Sequence, residues 1–169
     1  MKVLLDTSYF LPLIKIEVEK IPPDLLIKLF TETSNEYFYS DLSIFELTAK
    51  GLKFSSQEAE ITPQDIRVGI DTLQNETRLK AISYTNNPLI IELASSLRSI
   101  HQDTIDCLIF ASAICTCDCI ITMDLSFFEE LNDNPKILAE IQEINESFKF
   151  WFNDLSTDYD TLKFPKKIQ

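Results

Sequence analysis

Four acidic residues stand where ordinary surface charge explains them poorly. Asp6 follows the apolar run at 3–5, and Asp124 follows CIITM. Glu46 lies between Phe45 and Leu47 in LSIFELTAKG, and Asp106 lies within TIDCLIFASAI. A carboxylate among apolar neighbours is costly to bury unless something offsets its charge. A hard divalent cation does this, and Mg2+ and Mn2+ favour oxygen ligands. Each acid also has an ordinary reading. Asp6 and Asp124 can cap the helices that follow them. Asp103 and Asp106 have the spacing of a capping box. Glu46 precedes Lys50 by four residues, the favourable order for an exposed helical ion pair. The case for a shared site rests on all four acids occurring together in the right kinds of segment.

The elements that would position these acids follow from pattern. Residues 3–5 read as a buried strand and EYFY at 36–39 as a second, by its aromatic content. LKAISY at 79–84 is a third candidate strand, and 119–123 another. Helices are expected at 8–16, bent or begun at Pro12, and from Pro22 and Pro23 to about Phe30. Ser40 or Asp41 should cap a helix that stops at Gly51, followed by a polar loop over 53–62. Further helices are expected from Pro63 to about Gln74, from Pro88 to Ser99, from Asp103 to Cys115, and over 125–131 and 135–146. Strands alternating with helices predict an α/β fold, three layers α/β/α around a mainly parallel sheet. In such a fold ligands gather beyond the carboxyl ends of the strands, where Asp6 and Asp124 would lie. One domain spanning 1–169 is expected, with 147–169 as a C-terminal extension packed on the core.

Composition narrows the classes. The chain has 169 residues, 45% of them hydrophobic, and 25% charged. With only Gly51 and Gly69, no Gly-rich phosphate loop can be written. The net charge of -12 opposes broad electrostatic binding to nucleic acid, which depends on Lys and Arg. Lys50 and Lys53, and Arg78 with Lys80, are local exceptions that can guide a phosphate or simply be solvated. Cys107, Cys115, Cys117 and Cys119 offer no tetrahedral metal pattern, and are expected to be small, half-buried, reduced thiols. His101 reads as structural or incidental. The aromatics Phe148, Phe150, Trp151 and Phe152 suit core or dimer packing, or base stacking. No signal core is visible, and no apolar run approaches the roughly 18 residues of a membrane span, so a cytoplasmic chain without membrane contact is expected.

The texts VLLDTSYFLPLI, DLSIFELTAKG, TIDCLIFASAI and CIITMDLSFF together resemble the PIN-domain family. In that family an Asp followed by Thr or Ser ends the first strand. A Glu follows the second strand in a helix, an Asp opens an alanine-containing apolar helix, and a last Asp follows a strand. The order agrees from Asp6 to Phe127. The resemblance implies a PIN-like fold and a metal-dependent ribonuclease. Asp6, Glu46, Asp106 and Asp124 would bind one or two Mg2+ or Mn2+ ions, with Asp6 and Asp106 as direct ligands. Thr7, Ser8 and Ser126 would support them. The metal would acidify water for attack on an RNA phosphodiester. Many members are toxins paired with a small antitoxin protein, and others process RNA. A homodimer would cover the apolar helices and the aromatic tail.

Other classes fit less well. A phosphatase of the haloacid dehalogenase kind needs a second Asp where Ser8 stands. A receiver domain needs an acidic pair beside Asp6 and an Asp after LKAISY. A PIN-like module that binds protein or RNA without cutting is the remaining alternative.

Overall fold

The computed structural model describes residues 1–19, 21, 24–31, 34–57, 61–152 and 160–164. Its centre is a six-stranded sheet in the order β3-β2-β1-β4-β5-β6. The strands are β1 (Lys2–Leu5), β2 (Glu36–Ser40), β3 (Leu79–Ile82), β4 (Cys119–Thr122), β5 (Lys149–Phe152) and β6 (Asp160–Thr161). The first five are parallel, and β6 runs antiparallel to β5. A parallel sheet needs helices on both faces, because its crossovers lie there.

Alternate residues divide the strands between two cores. Leu4, Ile120 and Phe150 face one layer, which holds α4 (Pro88–Leu97), α5 (Thr104–Thr116), α6 (Leu125–Asn132) and α7 (Pro135–Asn145). Val3, Leu5, Tyr37, Tyr39, Ile121 and Trp151 face the other. That second layer holds a 3-10 helix over Thr7–Ile14, α1 (Leu25–Thr31), α2 (Asp41–Gln57) and α3 (Pro63–Asn75). The expected three-layer α/β/α architecture is therefore present. The aromatic run near the C-terminus is core: Phe148 and Phe150 are wholly buried, and Trp151 nearly so. No helix among the described residues is long and apolar enough to cross a membrane.

Some expected boundaries differ. The helix expected over 8–16 is a 3-10 helix, ended by Lys15 in the left-handed conformation (φ 63°). The strand expected to reach Tyr84 ends at Ile82, and a 3-10 turn takes up Tyr84–Asn86. Pro22 and Pro23, expected to open α1, lie outside the described residues, as do 58–60 of the expected polar loop. The helix expected to stop at Gly51 continues to Gln57, and it takes the first part of that loop. Gly51 is not a terminator but a crossing point. A Cβ there would meet Ile66 Cγ1 at 2.8 Å and Ile14 Cδ1 at 3.3 Å. Gly69 does the same on α3, where a Cβ would meet Ile14 Cγ2 and the Leu13 carbonyl oxygen, each at 2.5 Å. The two glycines let α2 and α3 close on the 3-10 helix that follows Asp6.

This packing predicts an asymmetry. Gly69→Ala meets backbone that cannot yield, so overpacking of about 1–3 kcal/mol outweighs the gain of up to about 1 kcal/mol in helix propensity. Gly51→Ala meets flexible Ile66 atoms and should be milder. Urea denaturation midpoints should fall in the order wild type, Gly51→Ala, Gly69→Ala; a Gly69→Ala midpoint at or above wild type would contradict the close approach.

Candidate functional site

The order of the sheet reverses at β1, which has β2 on one side and β4 on the other. The carboxyl ends of β1 and β4 therefore open a crevice between diverging helices, the usual ligand position in such sheets. The Asp6 amide donates to the Ile121 carbonyl at 3.0 Å, carrying the β1–β4 pairing one residue beyond the strand. Asp6 thus emerges at the crevice floor, with Asp124 beside it just past β4. The crevice is a cleft of about 420 Å3 lined by Asp6, Ser8, Glu46, Lys50, Asp103, Asp106, Phe110, Met123 and Asp124. All four acids singled out in the sequence line it, but the donor group close enough to share one ion among the described residues is His101, Asp106 and Asp124, without Asp6 or Glu46. Glu46 comes from the second turn of α2 and Asp106 from the first turn of α5, two helices that pack together.

The ordinary roles of these acids are also realised. Asp6 caps the 3-10 helix: its Oδ1 accepts from the Thr7 amide at 2.7 Å, and its Oδ2 accepts from Ser8 Oγ at 2.9 Å. Asp124 Oδ1 accepts from the Phe127 amide at 2.9 Å and from Ser126 Oγ at 2.6 Å. Glu46 Oε1 lies 2.5 Å from Lys50 Nζ. At the start of α5 it is Asp103 that caps, taking the Ile105 and Asp106 amides. Capping fixes these carboxylates at the cleft wall, so it orients them rather than removing them from it.

Of the expected supporting residues, Ser8 and Ser126 donate directly to Asp6 and Asp124. The Thr7 hydroxyl instead donates to the buried Ser43 Oγ at 3.0 Å, tying the end of β1 to α2, the helix of Glu46. Thr122 was not anticipated. Its hydroxyl donates to Asp6 Oδ2 at 3.1 Å and accepts from the Asp124 amide at 3.0 Å, bridging the two acids. His101 is more than incidental. Its Nδ1 is 3.0 Å from Glu130 Oε2, and its Nε2 is 3.5 Å from Asp106 Oδ2. A five-residue step across a helix start follows no periodicity, so the sequence carried no signal for this contact. Lys50 lines the cleft, whereas Lys80 pairs with Glu36 and Arg78 with Glu76 at the sheet margin, away from it.

The electrostatics are those of crowded acids. Burial pushes the Asp6 carboxyl above the usual range, and the Glu46 charge adds to this against hydrogen bonds from Ser8, Thr7 and Thr122. Burial, and then the charges of Asp103, Asp6 and Glu46, push Asp106 up to about 6. Burial alone would lower Lys50, but its hydrogen bond with Glu46 and the charges of Glu46, Asp6 and Asp106 raise it. His101 responds likewise: burial lowers it, and Glu130, Asp106 and Asp124 raise it overall. Glu46 Oε2 is buried with no hydrogen-bond partner among the described residues. One donor atom each from His101, Asp106 and Asp124 lie within 4.8 Å of one another. Crowded oxygen donors, an orphaned carboxylate oxygen and a carboxyl whose charged form is opposed by its neighbours fit a divalent cation. The cysteines offer no rival centre. Cys107, Cys117 and Cys119 are wholly or nearly buried, Cys115 partly, and burial pushes the four thiols up to about 11 or 12.

No protein-family model matches the chain, and no curated protein matches it by sequence. Solved structures do resemble it. One is described as VapBC2 from Rickettsia felis bound to a DNA fragment from their promoter. A chain of it superposes with a TM-score of 0.56 and 16% identity, over 95% of this chain and 100% of that one. Another is FitAcB from Neisseria gonorrhoeae, with a TM-score of 0.51 and 16% identity, over 76% of this chain and 91% of that one. At such identity the likeness is one of fold, and it extends nearly end to end in the first case.

Proposed function

We propose that this chain is a divalent-metal-dependent endoribonuclease of the PIN-domain kind, acting as a single domain whose site is the cleft of Asp6, Glu46, Asp106 and Asp124. One observation carries this reading. Four acids from four separated segments, each in the text that suggested it, converge on one cleft at the switch point of the sheet. Mg2+ or Mn2+ would be held by Asp6 and Asp106, with Asp124 completing the site and Glu46 supplying its free oxygen or positioning water. When bound, such a cation supplies Lewis acidity: it makes an attacking water more acidic and offsets charge on the phosphoryl oxygens.

The chain's own residues do the rest. Ser8, Ser126 and Thr122 hold the carboxylates in fixed orientation, as supporting hydrogen bonds do around metal ligands. Glu46 keeps a buried oxygen without a hydrogen-bond partner among the described residues, which a cation would satisfy. Lys50 is the one cation lining the cleft among the described residues, where it pairs with Glu46 and would offset charge on a phosphate oxygen. A chain of charge -12 gains little from diffuse attraction to RNA, so binding falls to the cleft itself.

The two solved structures named above, VapBC2 with a promoter DNA fragment and FitAcB, come from toxin–antitoxin systems. This supports the toxin of such a pair, a cytoplasmic protein held by a small antitoxin, with RNA processing as the other role and a homodimer as its assembly. A binding module without catalysis is the second reading. It is favoured by the partners each acid already has: amides, hydroxyls and Lys50.

Two predictions follow from the metal centre. Wild-type protein with Mn2+ should cleave single-stranded or structured RNA, and Asp6→Asn and Asp106→Asn should each lose at least about 100-fold in rate. Gel-resolved cleavage checks this: equal cutting by all three forms would reject the site, and no cutting by any would favour the binding module.

The second concerns stability without metal. The Asp106 carboxyl sits above its unfolded value of 3.8, so its favourable contribution is present below about pH 4 and fades as pH rises through about 6. Metal-free protein should therefore gain stability between pH 7 and pH 5. Asp106→Asn should raise it by about 1–2 kcal/mol at pH 7 and reduce that pH dependence, to which the raised Asp6 and His101 also contribute. Thermal melts in chelator, with and without added Mn2+, test this. Destabilisation by Asp106→Asn at pH 7 would show that the carboxylate is a structural partner, not a strained ligand.

A further inference from the structure

The acidic cleft borders one nitrogen donor, and its surroundings are built around it. His101 is the chain's single histidine. Its ring stacks on the wholly buried Phe127, with centroids 4.3 Å apart and planes 14° from parallel. Its backbone is tied down as well: the amide donates to the Leu97 carbonyl at 3.0 Å, and the carbonyl accepts from Arg98 Nη1 at 3.0 Å. Glu130 lies against Nδ1 at 3.0 Å. An ionised carboxylate only accepts, so Nδ1 donates to Glu130, and Nε2, which faces Asp106, is the nitrogen left for a metal.

The Nε2–Asp106 distance of 3.5 Å is too long for a good hydrogen bond between them. It is close to the spacing of two ligands sharing one ion. Metal–ligand bonds of about 2.1 Å at tetrahedral or octahedral angles separate neighbouring donors by roughly 3.0–3.4 Å. A carboxylate on the far nitrogen is also the usual support of a metal-bound histidine, since it fixes tautomer and ring orientation. On the other wall of the same cleft, the buried Glu46 Oε2 is left without a partner.

We propose that His101 is a nitrogen ligand of the metal centre, acting with Asp106 and Asp124 and oriented by Glu130. The site then binds Mn2+ or Co2+ more tightly relative to Mg2+ than an all-oxygen set would, because an imidazole nitrogen is a softer donor than a carboxylate oxygen. This rests on the cleft being a metal centre at all, so the test must separate the two claims.

Tag-free protein is loaded with Mn2+ and measured by pulsed electron paramagnetic resonance. With one histidine in the chain, 14N coupling of directly bound imidazole has one source. The coupling should be present in wild type and absent in His101→Gln. Mn2+ affinity by calorimetry should fall roughly 10–100-fold in His101→Gln, with Mg2+ affinity changed less. Glu130→Gln, which leaves the ring and its stacking partner in place, should keep the coupling and weaken Mn2+ binding by roughly 10-fold. Mn2+ bound without 14N coupling, and with equal affinity in His101→Gln, would overturn the ligand role while leaving the carboxylate centre intact. Failure of both ions to bind would overturn both claims.

Discussion

Like charges gathered at the end of a sheet repel one another, and the arrangement around this cleft answers that repulsion. Five carboxylates and one ammonium line it. Hydroxyls and amides take one lone pair after another on Asp6 and Asp124, Lys50 takes one oxygen of Glu46, and Asp106 is pushed towards neutrality. These contacts share the charge without discharging it. What remains is an acid-rich hollow whose oxygens are aimed, held and undercompensated, which is the condition a divalent cation relieves.

The rest of the fold can be read as the means of keeping the acids together. Parallel pairing of β1 with β4 sets Asp6 beside Asp124, and Thr122 locks the pair through one hydroxyl. Thr7 and Ser43 join the end of β1 to α2, which carries Glu46. Gly51 and Gly69 let α2 and α3 approach the 3-10 helix closely enough to fix that junction. Buried cores on both faces then leave the strands no freedom to shift register. A metal site demands placement to a fraction of an ångström, and rigid elements of this kind supply it.

The strand–helix alternation and the four acids were legible in the sequence because both are local. A short β-rich run ending in Asp, or an acid inside an apolar helix, declares itself without knowledge of the fold. Gly51 misled because a glycine at a helix crossing and one at a helix end look alike in one dimension. Phe148, Phe150 and Trp151 were read first as core or dimer packing, and the core reading holds because the sheet extends to β5. Thr122 was missed, and the partners of His101, read as structural or incidental, were not foreseen, for a common reason. Their significance lies in contacts across 116 and 29 residues, with Asp6 and Glu130, which no spacing rule encodes. The ordinary and the chemical readings of the acids also proved compatible: a cap can orient a ligand.

The most direct test of the central claim is anomalous diffraction at the manganese edge from crystals soaked in Mn2+. The account predicts a peak in the cleft within about 2.1–2.3 Å of carboxylate oxygens from Asp6 and Asp106. A cleft without a peak at saturating Mn2+, its carboxylates still bound only to amides, hydroxyls and Lys50, would contradict it.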